Sequence, residues 1–554
     1  MEQSTGRNPG PARDAESHWL YSLAFGLLLL AFVGFVFSLP LFPMGDSGLH
    51  LYYSQIFRDL LLHKAPLYGH FYAIRHAVQP YSLHYYALIA LSFFLPPELA
   101  EKVVVSVVLV TLAFGFRNLV RALSQRSPGV ILLIFPFLLN WPLSMGALNY
   151  TFAIGLLLFA LAAYEGLSFA SKSTARLWQF AGLLLLLILA HPVPLLLLLC
   201  YIAIDLLLRW WQRRARSGQF TSMSVQVIAF SLTCVAFIFP LLIADKSTVG
   251  KSASDLRFHS WYISQIWLSL RLSMFYTTGV AGRIYNKAYL LSFPVSLCFV
   301  LASGFVSRLK HRAFTAFDRL AIFSFLFLIA SMFAPGMVNG SAFFAYRLWL
   351  PCWLLGIASC SGALRGRNWN HAAAAFGIAF SVMTLVLAQH ILRPIALRSA
   401  QMEHMPLPSG QLGIFVQSSA GNEGYPLSMH YPVYFWNAAR AFAAHGDVLV
   451  NSAWMNLTIM PLKENGRSGL MRDYTDLSAT DNPNTLSDYL VTHPEARATV
   501  LRSVNFIVFV DPDPTHPDPV ALTRYTLGAF LADWQCEPTR DYVICRKKQA
   551  SVPA

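Results

Sequence analysis

Charged residues are scarce in this sequence. Only 12% of its 554 residues are Asp, Glu, Lys or Arg, whereas soluble domains contain roughly a quarter. Hydrophobic residues make up 56%, and apolar runs such as 19–39 and 225–244 reach the length of about 20 residues that a helix needs to cross a bilayer. A soluble core has no room for that much apolar surface. The sequence therefore predicts a polytopic α-helical membrane protein.

The motifs of soluble enzymes are also missing. The sequence contains no phosphate-binding glycine loop, no paired CxxC, no HExxH pattern and no internal repeat. Of the seven cysteines, five lie in or near apolar runs, where a thiol simply packs. Only Cys536 and Cys545 are close together, in two short predicted strands around a turn. A disulfide between them would require an oxidising compartment.

The positive charge is concentrated in one part of the chain. The formal net charge is +14, yet from residue 391 onward 13 Lys and Arg face 15 Asp and Glu, so the part before it carries +16. Lipid head groups and the positive-inside rule explain this excess better than nucleic acid, and we expect no nucleic-acid partner. The basic clusters fall at every second predicted connection, near 117–126, 172–176, 209–216, 308–312 and 365–367, which assigns those connections to the cytoplasm.

These patterns divide the chain into three parts. Residues 1–18 are a polar cytoplasmic tail, 19–390 a transmembrane domain, and 391–554 a small extracytoplasmic α/β domain. In that last domain the sequence predicts strands at 504–510 and 447–450 and a helical stretch at 519–534. The run 19–39 lacks a clear cleavage site and is expected to stay as the first span. We predict further helical spans at 102–116, 130–147, 150–165, 178–190, 193–208, 222–244, 288–306, 318–335, 345–362 and 371–389.

The segment 83–97 decides the number of spans. It is apolar but short, and it ends in Pro96 and Pro97. If it is interfacial or re-entrant, the chain has eleven spans with its N-terminus inside. If it crosses, there are twelve spans and the N-terminus is outside. The long first outer loop, residues 42–101, favours eleven.

An acidic residue follows the first span directly. The connection reads Phe42-Pro-Met-Gly-Asp46-Ser-Gly-Leu-His50, and an amphipathic segment comes after it. A first span, an acid directly after it and a long loop with amphipathic helices resemble the GT-C superfamily of glycosyltransferases, which includes protein O-mannosyltransferases and lipid A aminoarabinose transferases. The resemblance covers the architecture of most of the chain, and as a motif only Asp46 and its surroundings.

The resemblance implies a membrane enzyme that uses a sugar on a polyprenyl phosphate carrier. Such enzymes act on the extracytoplasmic side, where the acid serves as general base or binds a divalent metal ion. It implies catalytic roles for Asp46 and His50, with Asp46 as the metal ligand if a metal is used. The partners would be the carrier lipid, membrane lipids and a glycan, lipid or protein acceptor. This sequence has a single Asp followed by His50 where many members have paired acids.

Asp46 also has a purely structural interpretation. Beside Pro43 and Gly45, it could cap the helix that begins at Gly48. His50 likewise has a structural interpretation: it and the histidines further along the loop, such as His84, are expected to form interfacial hydrogen bonds rather than to bind a ligand.

Other polar residues are predicted at the same outer face. Asn149 and His191 lie in outer turns, where each either caps a helix or contributes to a substrate site. The outer loop 245–287 carries an excess of four positive charges, including Arg257 and Arg271. It either anchors the chain at the interface or binds a lipid-linked phosphate.

Arg347 is the strongest candidate for binding that phosphate. It begins a span from the outer side, and a guanidinium can donate two parallel hydrogen bonds to a phosphate. The alternative is that Arg347 only extends toward the lipid head groups.

Three functions are compatible with these observations. The first is a GT-C glycosyltransferase in the cell envelope, at the bacterial inner membrane. The second is a transporter or flippase of a lipid-linked intermediate, but its polar residues should collect at the bilayer midplane and here they collect at one face. The third is a noncatalytic lipid-binding assembly protein on a GT-C scaffold.

Overall fold

Most of the transmembrane part of the chain is described by the computed structural model. The predicted span 288–306 and residue Arg271 lie outside the described residues, as does most of the span 222–244. The described residues are 11–64, 66–74, 81–124, 128–169, 174–214, 227–236, 257–258, 315–333, 335–338, 341–342, 344–362, 367–407, 410–417, 462–464, 504–510, 534–538 and 542–548.

Helices dominate the N-terminal three quarters of the described chain, and short strands dominate the rest. In chain order the elements are α1 (Pro11–Ser38), α2 (Ser47–Leu61), α3 (Pro66–Phe71), β1 (Tyr72–Ile74), α4 (Leu83–Ser92), α5 (Pro97–Leu123), a 3₁₀ helix (Pro128–Phe137), α6 (Trp141–Ser144), α7 (Leu148–Phe169), α8 (Thr174–Ala190), α9 (Pro192–Arg214), α10 (Val227–Ala236), β2 (Arg257–Phe258), α11 (Ala316–Phe333), β3 (Pro335–Val338), β4 (Ser341–Ala342), α12 (Phe344–Cys360), α13 (Arg367–Glu403), β5 (Gly413–Gln417), β6 (Leu462–Glu464), β7 (Phe506–Val510), β8 (Trp534–Pro538) and β9 (Tyr542–Lys547).

Five described helices are long and apolar enough to cross a membrane. Each coincides with a span predicted from the sequence, and each contains a strongly hydrophobic stretch of 18 residues with at most two charged side chains. The five segments are Trp19–Ser38, Pro97–Leu123, Leu148–Leu167, Pro192–Trp210 and Asn368–Gln401.

Helix α4 is too short to cross a bilayer. Its 10 residues rise by about 15 Å at 1.5 Å per residue, which is half of a hydrocarbon core of about 30 Å. This supports the interfacial or re-entrant interpretation of segment 83–97. The total of eleven spans stays a prediction, because two of them lie largely or wholly outside the described residues.

The predicted α-helical span 130–147 has a different structure. A 3₁₀ helix and the four-residue helix α6 replace it, because Pro136 and Pro142 remove amide donors that an α-helix needs. The amide of Gly129 donates to the Asn370 side chain at the start of α13, while the carbonyl of Met145 accepts from Asp46. The segment therefore runs from one end of the helix bundle to the other. Its residues 129–137 are all buried, as irregular backbone at membrane depth must be.

Helices α11 and α12 pack as a hairpin. The indole nitrogen of Trp349 donates to Ser331 Oγ at 2.9 Å, and Ser324 Oγ donates to the carbonyl of Cys352 at 2.6 Å. Strands β3 and β4 lie between the two helices in the chain, and β2 pairs with β3. The hairpin brings Arg347, in the first turn of α12, to the end of the bundle where Asp46 lies.

The C-terminal part contains a small mixed sheet with the strand order β5-β7-β9-β8. The pair β5–β7 is parallel and the other pairs are antiparallel. The predicted strand 504–510 appears in it as β7, and Cys536 and Cys545 face each other on β8 and β9 and form a disulfide. The predicted strand 447–450 and the helical stretch 519–534 fall mostly outside the described residues. Separately, β6 from the tail pairs with β1 of the first loop.

Candidate functional site

The backbone around Asp46 is held by the turn that follows α6. The amide of Gly45 donates to the Ser144 carbonyl at 2.9 Å, and the amide of Asp46 donates to the Met145 carbonyl at 3.1 Å. Gly146 completes this turn with φ +88°, and a Cβ atom on it would lie 2.5 Å from the Asp46 nitrogen. Only glycine therefore allows the turn to approach Asp46 this closely.

The side chain of Asp46 does not act as a helix cap. Asp46 occupies the position before α2, but its carboxylate makes no capping hydrogen bond, and only its backbone carbonyl accepts from the amide of His50. Burial raises the pKa of the Asp46 carboxyl to about 7, although the Arg347 guanidinium opposes this rise. A carboxyl with a pKa near 7 can take a proton from a substrate at neutral pH.

His50 connects this turn to helix α4. Its Nε2 lies 3.0 Å from the Gly146 carbonyl oxygen, and its Nδ1 lies 2.7 Å from the Tyr85 hydroxyl. A carbonyl only accepts, so Nε2 carries the proton and Nδ1 accepts from Tyr85. Burial lowers the pKa of His50 to about 4, with the bond to Gly146 opposing. The ring is thus neutral with both nitrogens engaged, and the catalytic role expected for His50 stays a prediction.

Three of the expected site residues come together although they are far apart in the sequence. Arg347 Nη1 lies 3.2 Å from His191 Nε2, and the charge of Arg347 acts on Asp46. Two tyrosines surround the pair. The rings of Tyr81 and Tyr150 contact His191 edge to face, with centroids 4.6 and 5.2 Å away. The cluster combines a carboxyl group, a cation and hydrogen-bond donors, which together can accept a proton and bind an anion.

The remaining expected residues are placed less directly. Asn149 uses its side-chain oxygen to accept from the amide of Tyr150 at 2.8 Å, in the first turn of α7. The backbone of Arg257 lies in β2, beside the strand β3 that leads toward Arg347. Arg271 lies outside the described residues. Their proposed binding roles stay predictions.

The described residues do not by themselves form a metal site. Within the parts of the chain that the structure describes, no three His, Cys, Asp or Glu side chains are grouped as a metal ion would require. His50 has no free ring nitrogen to offer. The divalent ion considered for Asp46 stays a prediction.

Sequence reasoning did not select the aromatic residues of this site. Tyr85 and His84 contact His50, and Tyr81 contacts His191. The sequence signal of the two tyrosines is only a high density of aromatic and histidine residues in the first loop. Tyr150 follows the predicted Asn149 directly. Nothing in the sequence indicates that its ring contacts His191, about one helical hairpin away.

The helical bundle, the acid after the first span and the C-terminal domain together define the GT-C fold, and the chain is an integral membrane protein. Among solved structures it is similar to ArnT from Cupriavidus metallidurans bound to undecaprenyl phosphate. The TM-score is 0.50 at 11% identity, over 97% of this chain and 99% of that one. The expected fold class and the resemblance to GT-C proteins are thereby confirmed.

Two further structures have scores too low to add to this assignment. Mycobacterial arabinofuranosyltransferase AftD gives a TM-score of 0.47 at 14% identity, over 95% of this chain and 41% of that one. The oligosaccharyltransferase AglB from Archaeoglobus fulgidus, in complex with an inhibitory peptide and a dolichol-phosphate, gives 0.43 at 10% identity, over 97% and 75%. No protein-family model matches the sequence, and neither does any curated protein.

Proposed function

We propose that this protein is a membrane glycosyltransferase that moves a sugar from a polyprenyl phosphate carrier to an acceptor outside the cytoplasm. In this proposal Asp46 is the general base, Arg347 binds the carrier phosphate, and the domain 391–554 lies on the same side of the bacterial inner membrane. The acceptor is a glycan, a lipid or a protein of the cell envelope.

One observation carries the proposal: Asp46, His191 and Arg347 meet at one end of the bundle, and the Asp46 carboxylate is not used as a cap. A structural role would leave Asp46 bonded to the first turn of α2. The fold adds support, because the similar structure of ArnT holds undecaprenyl phosphate.

The chemistry follows from the charges of the cluster. An acceptor hydroxyl gives its proton to the Asp46 carboxylate while its oxygen forms a bond to the anomeric carbon of the sugar. The bond from that carbon to the phosphate oxygen breaks, and the electron pair leaves with the phosphate. The guanidinium of Arg347 stabilises the charge that develops there.

The substitution Asp46→Asn tests the base. Asparagine keeps the shape of aspartate but cannot take a proton, so we expect transfer to fall about 100-fold or more. Folding should be nearly unchanged, because the Asp46 side chain makes no capping hydrogen bond. The measurement is the movement of radiolabel from undecaprenyl phosphate sugars to other lipids and to the water-soluble and protein fractions of membranes that contain each variant at equal amounts.

Asp59→Asn is the matched control. Asp59 lies in the same loop and is paired with Arg58 at 2.9 Å, so the same chemical change away from the site should leave transfer nearly intact. Full transfer by Asp46→Asn would show that Asp46 is not the base. Loss of transfer in both variants would point to a general effect on the loop.

A further inference from the structure

Two donors are directed at the His191 ring, but a neutral imidazole has only one acceptor nitrogen. Its Nδ1 lies 3.1 Å from the backbone nitrogen of Val193, and its Nε2 lies 3.2 Å from Nη1 of Arg347. The amide of Val193 is in the first turn of α9, where amides have no acceptor within the helix. Nδ1 therefore accepts from Val193.

The proton of the ring is then on Nε2, facing another donor. Burial and the charge of Arg347 hold the pKa of His191 well below its usual value, so the ring is neutral and carries a single N–H. A guanidinium has no acceptor. The contact between His191 and Arg347 thus brings two donors together, and both would be satisfied by an anion placed against them.

A third donor lies beside this pair. The side chain of Tyr150 is fully buried, and its hydroxyl makes no hydrogen bond to any part of the chain that the structure describes. Its ring packs edge to face on His191, and the charge of Arg347 acts on it. Buried polar groups almost always have a partner, so this hydroxyl points to a ligand.

We propose that Tyr150, His191 and Arg347 form one anion site, in which the Tyr150 hydroxyl and the His191 Nε2–H donate to a phosphate group alongside the guanidinium. The source of the phosphate, a lipid carrier, rests on the proposed function. The new element is Tyr150 as a phosphate ligand, together with the assignment of the proton on His191.

Tyr150→Phe tests the hydroxyl without changing the shape of the side chain. With full-length purified protein in detergent, we expect farnesyl phosphate to raise the unfolding temperature of the wild type and farnesol to have no comparable effect. The apparent Kd for farnesyl phosphate should weaken about tenfold or more in Tyr150→Phe, because hydrogen bonds to charged groups are the stronger kind. If inorganic phosphate binds as tightly as farnesyl phosphate, the anion site is supported and its ligand is free phosphate.

Tyr21→Phe is the matched control, since the Tyr21 hydroxyl bonds to His371 at 2.9 Å near the opposite end of the bundle. Its Kd should equal that of the wild type. A second readout needs no ligand: unliganded Tyr150→Phe should unfold at the same or a higher temperature than the wild type, because a buried donor without a partner is removed.

An unchanged Kd, a lower unfolding temperature of unliganded Tyr150→Phe, or equal binding of farnesol would each overturn the proposal. These outcomes are separate from the failure of the proposed function. Full transfer by Asp46→Asn would remove the catalytic assignment and leave the anion site standing.

Discussion

Two aspartates of the first loop have opposite surroundings. Asp59 accepts hydrogen bonds from Arg58 and Gln55, which satisfy its charge. Asp46 makes no capping bond, and burial raises its pKa to about 7 in spite of Arg347. A carboxylate in an ion pair has a structural role, whereas a carboxyl whose surroundings raise its pKa toward 7 is available for proton transfer.

The raised pKa predicts the pH dependence of transfer. Asp46 is protonated below about pH 7 and cannot then accept a proton, so kcat/KM should rise about tenfold per pH unit between pH 5 and pH 6 and level off above pH 7. A carboxyl with the ordinary pKa of about 4 would give a flat profile over this range. The measurement is the initial rate at low carrier concentration from pH 5 to 9. A flat profile, or an equal slope in the residual rate of Asp46→Asn, would contradict the assignment.

Three helices are tied together by a buried network of charges at the end of the bundle away from Asp46. Arg319 of α11 pairs with Glu165 of α7 at 3.0 Å and also with Asp205 of α9. Tyr201 donates to Glu165 at 2.5 Å, and Arg209 pairs with Asp205 at 2.8 Å. Because α11 forms a hairpin with α12, this network also fixes the helix that carries Arg347.

Removing Arg319 should destabilise the bundle strongly. In Arg319→Met two buried carboxylates lose their central partner, and breaking a buried ion pair in this way typically costs about 3–5 kcal/mol. The loss is measured as a shift in unfolding temperature in detergent. Arg546→Met is the control, because Arg546 and Glu537 are 35% and 57% exposed and such surface pairs contribute about 0–1 kcal/mol. Equal shifts in the two variants would contradict the importance of the network.

The first loop and the C-terminal tail are joined by a short antiparallel pair of strands. In β1 and β6, Tyr72 faces Glu464, Ala73 faces Lys463 and Ile74 faces Leu462. The loop that begins with Asp46 is thus held by a segment almost 400 residues later in the chain.

A double cysteine variant tests this pairing. Facing Cα atoms in antiparallel strands are about 4.5–5.5 Å apart, within the range that a disulfide bridges. We expect Ala73→Cys with Lys463→Cys to form an intramolecular disulfide under mild oxidation, detected by nonreducing peptide mapping. Each single variant serves as control. Two free thiols in the oxidised double variant would show that the strands are not paired.

The sequence by itself determined the class of the protein and the position of the five helices that are long enough to span a membrane. Apolar runs of sufficient length must be buried in lipid whatever their neighbours are, so the spans 19–39, 150–165 and 193–208 could be located from composition alone. The strand 504–510 and the facing pair of Cys536 and Cys545 likewise follow from local patterns.

Local patterns failed where proline and tertiary packing compete with hydrophobicity. Residues 130–147 are apolar enough for an α-helical span, but their prolines prevent one, and only burial among the other helices makes the irregular crossing stable. Hydropathy cannot report this, because it measures the affinity of side chains for lipid and not the hydrogen bonding of the backbone.

The site was decided by the tertiary structure. The sequence could nominate Asp46, His191 and Arg347 one at a time, because each is a polar residue at a span end. The packing of the helices brings His191 to Arg347, 156 positions away in the sequence. It also places Tyr150 beside them, with a hydroxyl that has no hydrogen-bond partner among the described residues. Contacts between distant segments arise from the shapes of whole helices, and no local property of the sequence encodes them.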